Sequence, residues 1–200
     1  IQAWLGSVVV SSNLVPWIVT VHMLIALVIL AISIFTWYKA KHLQFRILLT
    51  TNPIITFVTS LALIIDVIQI IFGTEVREKI DEYASKLNGN NRQLWVNGAE
   101  NLLINHKNLA VGVIVINIIL YVLLKNNFKS NSIQRQLMST SFIIIMFQIF
   151  AGVMLSYWGL PPVAQAAHIL LASLLFGIQF YLLLNVFKTI EVSGEKYNVG

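Results

Sequence analysis

Long apolar runs separated by short polar stretches make up most of the chain. They extend over about Pro16 to Tyr38, Pro53 to Gly73, Leu102 to Leu124, Leu137 to Trp158 and Pro162 to Phe187. Each is close to the roughly 20 residues an α-helix needs to cross a hydrocarbon core of about 30 Å. Backbone in lipid must satisfy its own hydrogen bonds, and these runs are too long and too continuous for barrel strands. The pattern therefore predicts an all-α, polytopic membrane protein. Pro16, Pro53 and Pro162 open three of the runs, where a missing N–H costs nothing. Ile1 to Val10 is too short to span before Ser11, Ser12 and Asn13 interrupt it, and it reads as the outer half of a helix. The expectation is a helical bundle of five full transmembrane helices plus a partial first one.

Between the third and fourth segments, residues 74–101 break this pattern. Val76, Ile80, Tyr83, Ala84 and Leu87 recur at helical spacing among Glu75, Glu78, Lys79, Asp81, Glu82 and Lys86. A short amphipathic helix lying on the membrane surface fits this spacing. So does a plain solvated loop helix.

Composition agrees with lipid as the solvent: 58% of the 200 residues are hydrophobic, 10% are charged, and the mean hydropathy is +0.80. With no cysteine, metal chemistry falls to His, Met or carboxylates. The net charge of +5 is concentrated between helices and gives no footprint for nucleic acid. Lys39, Lys41 and Arg46, then Lys125, Lys129 and Arg135, then Lys188 and Lys196 follow alternate segments, which makes those ends and the C-terminus cytoplasmic. The connections 11–15, 74–101 and 159–161 then face outward. Neither a phosphate-binding glycine loop nor a nucleophile elbow occurs.

The chain also repeats itself. A shift of 146 residues aligns Gln2 with Gln148, Gly6 with Gly152, Leu14 with Leu160, Pro16 with Pro162, His22 with His168, Leu24 with Leu170 and Ala26 with Ala172, without a gap. Gln69 and Gly73 reproduce the Gln-x-x-x-Gly spacing near the outer end of the third segment. Glycine there permits close helix approach, and the glutamine can hydrogen-bond a neighbour, so packing is the expected role. The aligned segments run in the same direction, which argues against the inverted repeats of a small transporter. If the last four segments form one bundle, the first two are half of another, with two further helices before Ile1.

His22, His106 and His168 all lie in the first turns of helices running inward from the outer face, and so at similar depth. Neutral imidazoles on facing helices can sandwich a haem. His106 and His168 are the natural pair, because both belong to the bundle that is complete here. His42, among Lys39, Lys41 and Arg46, reads as solvated. Asp66 lies mid-segment with Gln69 and Asn117 as candidate partners, and is either a structural hydrogen-bonding group or a proton-handling one. Arg77 either pairs with a haem propionate or forms a surface ion pair with Asp81.

These residues resemble a known family. LGSVVVSSNLVPWIVTVHMLIAL, within Gln2 to Ala31, resembles the third and fourth helices of bacterial haem A synthases. GTEVRE, Gly73 to Glu78, resembles the end of their fifth. AGVMLSYWGLPPVAQAAHILLASLLFG, Ala151 to Gly177, is similar to their seventh and eighth. The resemblance covers nearly the whole chain, as the C-terminal two-thirds of such an enzyme. It implies a pseudo-symmetric pair of four-helix bundles that oxidises the C8 methyl of haem O to the formyl of haem A for cytochrome oxidase assembly. It also implies haem b as cofactor, ligated by His106 and His168, and haem O as substrate, with His22 one of two histidines in the substrate half.

On this reading residues 1–46 are the second half of the N-terminal bundle, 47–188 the C-terminal haem b bundle and 189–200 a cytoplasmic tail. Implied partners are membrane lipid, haem O and the enzyme that makes it, and an electron acceptor of unknown identity. Where this sequence has His106 and Lys107, the family often has His-Arg. Its Glu-x-x-His-Arg motif, source of a catalytic carboxylate, does not occur in this chain. The expectation is thus a haem A synthase stretch that holds haem b and lacks the N-terminal catalytic helices. The rival is a non-enzymatic b-type cytochrome that relays electrons through the same histidines.

Overall fold

Helices account for all the regular secondary structure that a computed structural model describes over residues 1–12, 16–41 and 52–186. In chain order they are α1 (Gln2–Ser11), α2 (Pro16–Lys41), α3 (Pro53–Lys86), α4 (Arg92–Gly98), α5 (Glu100–Asn127), α6 (Ile133–Tyr157) and α7 (Pro162–Val186). Local chemistry sets the ends. Asn52 accepts a hydrogen bond from the Ile54 amide at 3.1 Å with Pro53 as the first helical residue, and Ser132 caps α6 through the Arg135 amide. Five helices, α2, α3, α5, α6 and α7, are long and apolar enough to cross a bilayer. Their outer surfaces carry Phe57, Ile64, Val115, Phe147 and Leu170 exposed, as side chains that meet lipid rather than water. This is a polytopic helical membrane protein.

The region after Gly73 differs from the expectation of a separate surface helix. α3 runs unbroken for 34 residues, about 50 Å at the usual helical rise, and so stands well beyond a 30 Å core. Its amphipathic outer part is upright because its apolar face has a protein partner. Val76 and Ile80 are buried against Trp95, Val96, Ala99, Leu102, Leu103, Leu155 and Leu160. Pairs along the helix support its polar face: Lys79 and Lys86 each reach Glu82, at 2.7 and 2.6 Å, and Arg77 reaches Asp81 at 2.8 Å. The short α4 closes the cap. Its Gly98 is required by a close approach, since a Cβ there would fall 2.4 Å from the Tyr83 ring.

Below this cap four helices form a ring. α3 packs on α5, α5 on α6, α6 on α7 and α7 back on α3, so α5 and α7 stand across one diagonal and α3 and α6 across the other. α2 lies against α7 and α3, and α1 against α2. Three apolar layers fill the assembly. Ile55, Val58, Ala62, Leu120, Leu124, Met138, Leu182 and Val186 close the end opposite the cap. Val113, Ile144, Ile145 and Leu175 pack midway. Leu27, Ile70 and Phe176 join α2 to the ring.

Candidate functional site

The repeat seen in the sequence is a physical unit: its glycine faces a histidine ring in three copies, and its glutamine holds the histidine in two. In the first copy the Gln2 side-chain amide on α1 donates to the carbonyl of His22 on α2 at 3.0 Å and lies 3.4 Å from its Nε2. In the second, Gln69 on α3 donates to the His106 carbonyl on α5 at 3.1 Å and lies 3.3 Å from Nε2. In the third, α6 and α7 carry Gln148, Gly152 and His168 at the same positions, and Gly152 faces the His168 ring. The glycine one turn beyond each glutamine faces the same ring: a Cβ on Gly6, Gly73 or Gly152 would sit 3.4 Å from Cε1 of His22, His106 or His168. The glutamine and the glycine thus form a cradle for an imidazole, which is more specific than the helix packing that their spacing suggests. From glutamine to histidine the separation is 20 residues in the first copy and 37 in the second. The outer extension of α3, together with α4, is inserted there.

The second and third copies meet. The rings of His106 and His168 lie with centroids 6.4 Å apart and planes inclined by 56°. They project from the two diagonal helices, at a level between the outer cap and the midway apolar layer. Two imidazoles bound through one nitrogen each to opposite sides of a single iron, with bonds of about 2.0 Å, have ring centres roughly 6 Å apart. The inclination is no obstacle, because ligation by two imidazoles restricts the distance between the ring centres and leaves the angle between the ring planes open. Nδ1 of His22, of His106 and of His168 is buried without a hydrogen-bond partner among the described residues. An unpaired ring nitrogen in an apolar interior is costly, and ligation of a metal removes that cost. The residues present therefore fit a haem iron between His106 and His168.

Other candidate residues fall at different distances from this pair. No second imidazole is paired with His22 among the described residues. Arg77, at the cap end of the bundle, forms the ion pair with Asp81 and also hydrogen-bonds the Gln165 side chain of α7, so it bridges α3 to the helix that carries His168. Asp66 is 4% exposed, and neither candidate partner engages its Oδ2, which has no partner among the described residues. Gln69 is turned to His106 instead, and Asn117 donates to the Val113 carbonyl and accepts from Gln179 Nε2 at 3.2 Å. That Asn117–Gln179 contact across the diagonal has a signal in the sequence: each residue lies eleven positions beyond a histidine, three helical turns on and on nearly the same face. His42 lies outside the described residues.

A family model, COX15-CtaA, described as cytochrome oxidase assembly protein, matches residues 1–180. No curated protein and no solved structure matches the chain.

Proposed function

The chain belongs to the COX15-CtaA family of cytochrome oxidase assembly proteins, a family of haem A biosynthesis, and from that premise we propose that it carries the haem b bundle and part of the substrate bundle of a haem A synthase. The reaction is the oxidation of the C8 methyl of haem O, first to an alcohol and then to the formyl of haem A. The observation that carries the reading is the pair of rings 6.4 Å apart on diagonal helices, each with a buried nitrogen in need of a partner.

His106 and His168 hold haem b, and His22 is an iron ligand for haem O in the neighbouring half. Gln69 and Gly73 keep His106 turned into the bundle, and Gly152 leaves room for the His168 ring. When bound, haem b would supply a one-electron redox centre, with any electron acceptor lying outside this chain. Val76, Ile80, Ala99 and Leu160 exclude water from above, while Arg77 offers a cation at the outer rim for a propionate. The carboxylate that the resemblance assigns to methyl oxidation lies in a motif that this sequence does not contain. The residues named here therefore bind, orient and shield. With basic residues at the opposite helix ends, the histidine level is on the outer side of the cell membrane.

Extraction of haem from membranes that express the whole gene together with a supply of haem O tests the activity. Haem A accumulates if the protein is the synthase. Membranes that keep haem b and never accumulate haem A would instead assign it to electron relay.

A further inference from the structure

Six polar or charged side chains are buried among the described residues: Thr59, Asp66, Thr74, Asn117, Ser141 and Gln179. Asp66 alone among them is ionisable, and nothing described above uses it. Resting on the reading that His106 and His168 hold a haem, we infer that Asp66 is the group that takes up and releases a proton as that haem changes redox state, in exchange with the outer side only.

Placement is the first argument. Asp66 lies on α3 one turn inward of Gln69, the residue that contacts His106, and on the same side of the helix. α3 and α6 flank the line that joins the two rings, because α5 and α7 occupy the other diagonal. Asp66 is thus on a wall of the space between the imidazoles, slightly deeper than they are. Its Oδ2 is buried and unpartnered among the described residues.

Isolation from the inner face is the second argument. Inward of Asp66 come Val113, Ile144, Ile145 and Leu175, with Ile65 packed against them. The Asn117–Gln179 hydrogen bond follows, and then the apolar plug of Ile55, Leu120, Leu124, Leu182 and Val186. Polar groups lead outward, through Gln69 and the histidines. Of the elements packed on α3, α2 carries His22 at this level, α7 carries His168, and α5 carries His106 with Lys107 one position inward of it, its ammonium directed to the Tyr157 ring at the cap end of α6. The other charges stand at helix ends: Lys39 and Lys41 on α2, Arg92 at the start of α4, Glu100 and Lys125 on α5. No fixed cation shares the depth of Asp66.

Charge balance is the third. A lone carboxylate in an apolar core is costly to ionise, and a positive charge nearby offsets the cost. The ferric porphyrin core carries one net positive charge and the ferrous core none. When a one-electron donor reduces ferric iron to ferrous, a proton from the outer aqueous phase bonds to the Asp66 carboxylate, and reoxidation by a one-electron acceptor releases it. The buried net charge is then the same in both states.

The test is a potentiometric titration of the purified chain carrying haem b, between dithionite and ferricyanide, repeated across pH. The wild type should show a midpoint potential that falls with pH at close to one proton per electron over part of the range, and Asp66→Asn a flat one. Asp66→Glu, which keeps the carboxyl, should restore the slope. The redox-difference infrared spectrum of the wild type should contain a protonated-carboxyl band that appears on reduction, so the inference is testable even if Asp66→Asn fails to fold. A wild-type spectrum without that band, or a slope unchanged in Asp66→Asn, overturns it. A wild-type chain that takes up no low-spin haem would instead remove the underlying reading.

Discussion

Gln69 reaches His106 twice, donating to its carbonyl oxygen at 3.1 Å and lying 3.3 Å from its Nε2. One side chain thereby ties two transmembrane helices together and fixes the rotation of the ring between them. Partners that orient a ligating histidine commonly contribute about 10- to 100-fold in metal affinity. Gln69→Leu should therefore retain haem b with affinity weakened by about that range and with an altered low-spin electron paramagnetic resonance signal. Titration of the apoprotein with haem measures the first effect and the resonance spectrum the second. Unchanged values in both would reduce Gln69 to an ordinary packing residue.

Gly152 makes a complementary prediction. A Cβ there would contact His168 Cε1 at 3.4 Å, an ordinary van der Waals distance, whereas further atoms would enter the volume of the ring. Gly152→Ala should keep the wild-type haem content. Gly152→Leu should displace the ring and lose the haem, read as the ratio of haem to protein after purification. Equal haem content in both variants would show that the glycine serves some other contact.

The Asn117–Gln179 hydrogen bond should contribute little net stability despite its complete burial. Hydrogen bonds between membrane helices average about 0.6 kcal/mol in double-mutant cycles, because the alternative state also finds partners. Gln179→Leu leaves Asn117 Oδ1 without its donor and should destabilise the protein by about 1–3 kcal/mol, and adding Asn117→Leu should recover part of that loss. Thermal unfolding of the four variants in detergent gives the coupling. A double variant as unstable as the two losses summed would mean that the pair is uncoupled.

Outside the membrane, Ile80 is 6% exposed and joins α3 to the cap. Ile80→Ala should cost about 2–4 kcal/mol and speed hydrogen exchange in α4 and the first turns of α5, while the inner plug keeps its protection. Exchange measured by mass spectrometry separates the two regions. Faster exchange throughout the bundle would show instead that the cap and the core unfold as one unit.

The contrast between these regions explains what was readable from the chain alone. The spanning helices were legible because lipid imposes one simple demand, about 20 apolar residues in a row, and the runs at Pro53, Leu102 and Pro162 meet it plainly. The repeat was legible because Gln, Pro and His recur in register through segments that are otherwise apolar. The outer part of α3 was not. An amphipathic stretch fits a lipid surface and a protein partner equally well, and the partner lies in residues 95–103, 155 and 160, which no local spacing connects to Val76. The purpose of the Gln-x-x-x-Gly spacing was hidden for a related reason. Its target is a histidine on another helix, 20 residues away in one copy and 37 in the other. The Asn117–Gln179 contact shows in the sequence only as a shared offset of eleven residues from His106 and His168, which gains meaning once those histidines face each other across the diagonal.

The central claim is that His106 and His168 clasp one haem iron. Purified chain loaded with haem b, compared with His106→Ala, His168→Ala and His22→Ala, tests it most directly by optical and electron paramagnetic resonance spectra. The account predicts a low-spin, doubly imidazole-ligated signal in the wild type, its loss in both His106→Ala and His168→Ala, and its survival in His22→Ala. A low-spin signal that persists unchanged when His106 or His168 is removed would contradict it.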